Sequence, residues 1–242
     1  GASGLNVGRG IAVDRAGHSY VAGMFTTAAT FGFAEDNQTT LFALEDRETF
    51  VAKYDGNGGL VWAKQANGAG NDGAWSITVD RAGSSYITGT FANEATFGLG
   101  EANQITLTRV IGVAAGFVAK YESNGLLVWA RQGGGFGIAV DRTGRSHVTG
   151  TFAESSPSAT FGLGEPNETT LISEPIECTP SGACDSPDDI FLARYSKHYL
   201  GRALVRASPP VSIAALIASL PLHSERETPV GARTDPLWAR LS

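Results

Sequence analysis

Three glutamates, Glu35, Glu101 and Glu165, hold one place in a frame that occurs three times, Thr-Phe-Gly-x-x-Glu-x-Asn-x-x-Thr-Leu, over 30–41, 96–107 and 160–171. A carboxylate repeated on equivalent loops could form a ring for a cation or a basic partner. The same residue types also serve a plainer purpose, because Asn and Glu beside Gly supply turn chemistry and solubility. Three glutamates on three separate units are expected to lie too far apart to share one ion. The third copy is longer. Phe31 to Phe50 spans 19 residues and Phe97 to Phe117 spans 20, but Phe161 to Phe191 spans 30. Its insert holds Cys178, Cys184, Asp185, Asp188 and Asp189. Two cysteines in one insertion point to a local disulfide that closes a surface loop in an oxidising compartment, a contribution of about 2 kcal/mol. A pair of free thiols is the alternative. Zinc is not expected, since no second Cys pair or paired His completes a four-ligand set. The acidic run over 185–189 lacks the spacing of a calcium loop and reads as a solvated segment. The candidate binding face is therefore Glu35, Glu101, Glu165, Asp185, Asp188 and Asp189, with Cys178–Cys184 as a bridge and no metal ligands.

Nothing else in the chain assembles into a reaction centre. The four histidines are His18, His147, His198 and His223; His18 falls in a turn and His147 in a strand, in different repeat registers. No nucleophile elbow, zinc-protease helix or phosphate-binding loop motif is present. The Gly-rich stretch over 132–137 lies between two strands and feeds no helix, so it reads as a connection. No catalytic residue and no cofactor is assigned.

The elements that must position these residues come from an internal repeat. Ile11-Ala12-Val13-Asp14-Arg15-Ala16-Gly17 returns as Ile77 to Gly83 and as Ile138 to Gly144, with the Asp positions 66 and 61 residues apart. Phe50-Val51-Ala52-Lys53-Tyr54 returns as Phe117 to Tyr121 and as Phe191 to Tyr195. Leu60-Val61-Trp62-Ala63-Lys64-Gln65 returns as Leu127 to Gln132. Each unit reads as four strands. A short apolar strand A meets an Asp-Arg-Ala-Gly turn. Strand B follows over 19–25, 85–91 or 146–152. Strand C is the Phe-Val-Ala-Lys-Tyr module, and strand D carries the Trp. Between B and C, the Glu-bearing frame reads as a small hairpin. Two hairpins in series make a four-stranded antiparallel sheet, and face-to-face stacking of such sheets about an axis is the logic of a β-propeller. A unit of this size is too long for a β-solenoid coil. In that architecture the B–C and D–A loops open on one face, where Glu35, Glu101 and Glu165 are expected.

These motifs, Gly-Ile-Ala-Val-Asp-x-x-Gly followed by Phe-Val-Ala-Lys-Tyr and Trp-Ala-Lys-Gln, resemble the bacterial SBBP-type β-propeller repeat, which is similar to NHL-type propeller repeats. The resemblance covers about residues 8 to 196. It implies a propeller in a large secreted or cell-envelope protein and brings no catalytic residues with it. Asp55-x-x-Gly58-x-x-x-Trp62 also faintly resembles the tryptophan-docking repeats of quinone-dependent propeller enzymes. The spacing is one residue short, and the adjacent cysteines of those enzymes are missing.

Composition agrees with this class. Of 242 residues 31 are Gly, against a usual share of about 7%. The net charge of -6 gives no reason to expect nucleic-acid binding, and no apolar run is long enough to span a bilayer. The expected organisation is an all-β fragment of about three four-stranded antiparallel blades, open or incomplete: blades over about 10–75, 76–136 and 137–196, then a non-repeat tail over 197–242. The tail holds 5 of the 10 Pro and carries net charge +3, which leaves -9 on the rest. A disordered extension or short helix, an interaction segment, and an altered reading frame are competing readings of it. A residual strand D near 201–205 also fits. The leading function is a non-enzymatic binding or structural module with an unknown protein or glycan partner and further blades in a longer parent chain. A glycan- or polymer-binding propeller using the B–C face is the alternative, and a quinone-dependent enzyme the second.

Overall fold

The computed structural model describes residues 4–44, 46–110, 115–152, 158–162, 166, 168–172, 177–178, 184–185, 189–195 and 200–204. The chain divides after Ser208, and every described residue belongs to the unit Gly1–Ser208. Three four-stranded antiparallel sheets form it, one per repeat.

The first sheet holds β1 (Asn6–Val13), β2 (Ser19–Phe25), β5 (Glu48–Tyr54) and β6 (Leu60–Ala66), in that order. The hairpin β3 (Ala28–Phe31) and β4 (Thr39–Phe42) is inserted between its second and third strands. The second sheet holds β7 (Gly73–Val79), β8 (Ser85–Thr90), β11 (Gly116–Tyr121) and β12 (Leu127–Gln132), with the hairpin β9 (Glu94–Phe97) and β10 (Ile105–Thr108). The third holds β13 (Gly137–Val140), β14 (Ser146–Phe152), β19 (Asp189–Tyr195) and β20 (Leu200–Leu204). Its inserts are the pairs β15 (Ser158–Phe161) with β16 (Thr169–Ile172) and β17 (Glu177–Cys178) with β18 (Cys184–Asp185).

Strand β20 lies inside the stretch assigned by sequence to the tail. It keeps the register of the other two copies: Tyr195 pairs with Leu200 as Tyr54 pairs with Leu60 and Tyr121 with Leu127. A bulge precedes the Tyr in all three. Arg202 therefore stands opposite Arg194, at the place that Trp62 and Trp129 hold opposite Lys53 and Lys120. Val211 to Leu222, the candidate helix, lies outside the described residues.

The sheets stack through apolar faces. Tyr20, Ala22, Val51 and Trp62 of the first sheet share one core with Ile77, Ile87, Phe97, Phe117, Ala119 and Tyr121 of the second. Tyr86, Val118 and Trp129 of the second share another with Val148, Phe161, Phe191 and Tyr195 of the third. Alternation along each strand makes this possible, because neighbouring residues serve opposite faces. Tyr86 and Val118 face forward while Ile87 and Ala119 face back. Strand β7 packs on β1 and β2 on one side and on β13 on the other, so the A strands lie together. The result is an all-β, propeller-like arrangement that is open, with no sheet closing it. Among the described residues no helix is long and apolar enough to cross a membrane.

Candidate functional site

The Asp of each A–B turn organises a joint. Asp14 Oδ1 accepts the amides of Ala16 (2.9 Å) and His18 (3.0 Å). Asp80 Oδ1 takes those of Ala82 and Ser84, both at 2.9 Å, and Asp141 Oδ1 those of Thr143 (2.8 Å) and Arg145 (3.0 Å). These are Asx turns, built because Asp competes for the backbone ahead of it. The second oxygen is aimed at strand B. Tyr20 Oη lies 3.2 Å from Asp14 Oδ2 and 3.0 Å from Gly83 O of the next sheet. Tyr86 Oη lies 3.0 Å from Asp80 Oδ2 and 3.2 Å from Gly144 O. One phenol thus ties each turn to the following one. Burial, with the neighbouring aspartates, holds both phenols far above the ordinary tyrosine range, so they remain hydroxyl donors. Burial also raises the Asp14 carboxyl. The hydrogen bonds from the His18 ring and from the His18 and Ala16 amides outweigh it, and the group titrates below its usual value.

The third copy departs from this pattern. His147 takes the Tyr place, with Nε2 3.7 Å from Asp141 Oδ2. Burial pushes the imidazole below the ordinary histidine value of 6.5, and Arg194 and Arg145 add to this against the opposing pull of Asp141. The unfolded chain therefore binds a proton that the folded chain refuses, and stability falls as the pH drops below 6.5 toward the folded value. Asp14 and Asp141 act in the same direction lower down. Their folded values lie below 3.8, so their contribution is lost as the pH falls through those values. His147→Tyr is expected to restore a hydroxyl donor to Asp141 and remove the first of these losses. At about pH 5.5 the variant should be more stable than the parent by about 1 kcal/mol in urea unfolding, with a smaller gap at about pH 7.5. Equal pH profiles would remove this assignment for His147.

The repeated Glu and Asn act on strand D. The first two hairpins lie back along the last strands of their own sheets, so their tips reach the beginnings of those strands. Glu35 Oε2 accepts the Leu60 amide at 2.6 Å, while Asn37 Nδ2 donates to the Leu60 carbonyl. Glu101 Oε2 accepts the Leu127 amide at 2.8 Å, while Asn103 Nδ2 donates to the Leu127 carbonyl. The frame's Gly has φ +62 at Gly32 and +64 at Gly98, with the same leucine against it. A Cβ there would stand 2.7 Å and 2.9 Å from the Leu60 and Leu127 Cβ atoms. Glu101 Oε1 also accepts Lys64 Nζ of the preceding sheet at 2.9 Å. Glu35 and Glu101 are thus placed at the C–D turn end of their sheets, held by backbone, and not on the B–C and D–A face.

The other predicted site residues are placed as follows. Glu165 and Asp188 lie outside the described residues. Asp185 ends β18 and Asp189 begins β19. Cys178 and Cys184 are direct cross-strand partners in the β17–β18 pair, a backbone spacing that a disulfide fits. Among the described residues no group of three or more His, Cys, Asp and Glu gathers as a metal site.

Two equivalent grooves open between neighbouring sheets, each bounded by strand D, its own hairpin and the next hairpin's Gly. The first, about 180 Å³, is lined by Leu41, Lys64, Gln65, Gly98, Glu101 and Tyr121. The second, about 510 Å³, is lined by Leu107, Thr108, Trp129, Arg131, Gln132 and Gly162. Gln65 Nε2 donates to Phe42 O (3.0 Å) and Asn67 Oδ1 (2.6 Å). Gln132, its counterpart, is only 5% exposed, yet its Nε2 has no partner among the described residues, and the same holds for Tyr121 Oη. A buried amide in that state calls for an acceptor. Sequence reasoning missed these grooves and the Tyr joints. The recurrence of Tyr20 and Tyr86 at one strand position was the available signal for the joints.

Together the fold and these joints define an open, propeller-like repeat module. No family model matches the chain. Over 120 residues, 48% of this chain, it is 33% identical to the uncharacterized WD repeat-containing protein L264 of Acanthamoeba polyphaga mimivirus. The match spans 8% of that protein's length.

Proposed function

We propose that the chain is a non-enzymatic binding or structural module, one segment of a longer propeller in an exported or cell-surface protein of the bacterial SBBP-type repeat class that its motifs resemble. The use of its recurring polar residues supports this reading best. Asp14 and Asp80, Tyr20 and Tyr86, and Glu35 and Glu101 fasten turns, strands and neighbouring sheets. Lys53 Nζ does the same, reaching Ser123 O of the next sheet at 3.1 Å. Side chains that recur for chemistry would converge on a shared space; these are spent on backbone. The test is a substrate panel for hydrolysis and oxidation with the full chain, plus a visible absorbance scan after adding a quinone and Ca²⁺. Absence of turnover and an unchanged spectrum are expected. Turnover that vanishes on heat denaturation would overturn the reading.

A second reading, a glycan- or polymer-binding module, is favoured by the unpartnered Gln132 amide in the larger groove. Its test is a glycan array with the native chain and Gln132→Ala. Binding by the native chain alone supports it, and no binding by either removes it.

A further inference from the structure

The first sheet has one face against the second sheet and one open. The open face carries the positions that the second sheet buries against the first. Ile77 is 6% exposed, and Ile11, at the same repeat position, is 68% exposed; Val13 is 58% exposed where Val79 packs on the shared core. Tyr121 and Phe97 are buried, whereas Tyr54 and Phe31 are half-buried. The receiving turns are also present. Gly83, whose carbonyl meets Tyr20, has φ +78, and Gly17 has φ +86. Ser123, whose carbonyl accepts both Lys53 Nζ and Trp62 Nε1 at 3.1 Å, precedes Gly125 with φ +85. Gly56 has its place, ahead of Gly58 with φ +88.

We infer that the open face of the first sheet is the seat of one more blade of the same repeat, which brings a Tyr to Gly17, a Lys and a Trp to Gly56, and apolar residues to Ile11 and Val13. The inference rests on the reading of this chain as a segment of a longer propeller, and it specifies the neighbour's chemistry. The covered interface between the first two sheets has the same register and turns, so the open one continues it. A second copy of this chain does not supply the match. The far side of the third sheet has His147 at the Tyr position and Arg194 at the Lys position. An imidazole in place of the phenol and a guanidinium in place of the ammonium do not reproduce the joint.

The experiment is a tandem duplication of residues 10–75 within the full chain. The original copy, now second, carries Ile11→Cys, and its modification by N-ethylmaleimide is followed on the residue-11 peptide by mass spectrometry. The rate is expected to fall by about tenfold or more relative to Ile11→Cys in the unduplicated chain, because alkylation then requires a local opening. Tyr20→Phe with Trp62→Ala in the added copy should return most of the rate. An unchanged rate in a duplicated chain that retains its β-sheet circular dichroism overturns the inference, and so does loss of that signal on duplication. Slowing in the unduplicated chain between about 1 and about 100 µM would also overturn it, since the occupant would then be a second copy. Catalytic turnover would sink the non-enzymatic reading alone and leave the alkylation result standing.

Discussion

Trp62→Ala is expected to destabilise the chain by about 3–5 kcal/mol, the largest effect of any single truncation considered. The indole is 8% exposed and lies wholly in the joint between the first two sheets. Its Nε1 donates to Ser123 O at 3.1 Å, and Tyr20 meets it edge-on with ring centroids 6.2 Å apart. The next sheet is shaped to it: a Cβ at Gly125 would stand 2.9 Å from the ring. Truncation leaves a cavity that two sheets line and neither can fill, because each is held by its own strand ladder. Trp62→Phe keeps much of the filling and loses the Ser123 bond, so it should cost less, about 1–2 kcal/mol. Urea unfolding followed by circular dichroism measures both. A Trp62→Ala loss under about 1 kcal/mol would show that the joint is not what couples the sheets.

Gly89→Ala should be nearly as severe, at about 3 kcal/mol or more, for a steric reason. A Cβ at Gly89 would lie 2.1 Å from Gly73 O on the paired strand and 2.7 Å from two atoms of the Phe117 ring. The carbonyl belongs to backbone in a sheet and cannot rotate away. Gly23 repeats the situation, 2.0 Å from Val7 O, so the position is one of close approach. Gly58→Ala is the control. It has φ +88 but nothing within 4 Å, so it should lose only the strain of a left-handed residue, about 1 kcal/mol. Equal losses at the two positions would show that backbone conformation, not space, governs both.

Much of this architecture was legible because β structure is written in short alternating strings. The three copies of the Ile-Ala-Val-Asp and Phe-Val-Ala-Lys-Tyr modules and the two of Leu-Val-Trp-Ala located the strands. Strand β2 falls on Ser19–Phe25, as read from the alternation. The Glu-bearing frame was readable as a hairpin, and hairpins are found there. Its placement was not readable. A hairpin of four-residue strands is locally specified, but whether it projects from the sheet or folds back along strand D depends on contacts with residues 23 to 26 positions away, such as Glu35 with Leu60. At the start of the tail, the residual strand D expected near 201–205 is found as Leu200–Leu204; it lacks the Trp of the other two copies, yet its backbone completes the ladder with β19.

Residue order by itself determined the number of repeats, because the motifs recur, and the turn chemistry of Asp14, Asp80 and Asp141, because an Asx turn is closed within four residues of chain. Only the tertiary structure decided that the repeated glutamates clamp strand D, that Tyr20 and Tyr86 join successive turns, and that Ile11 lies open where Ile77 is covered. Each of those outcomes depends on what the neighbouring sheet presents at van der Waals distance, and identical motifs meet different neighbours along the stack.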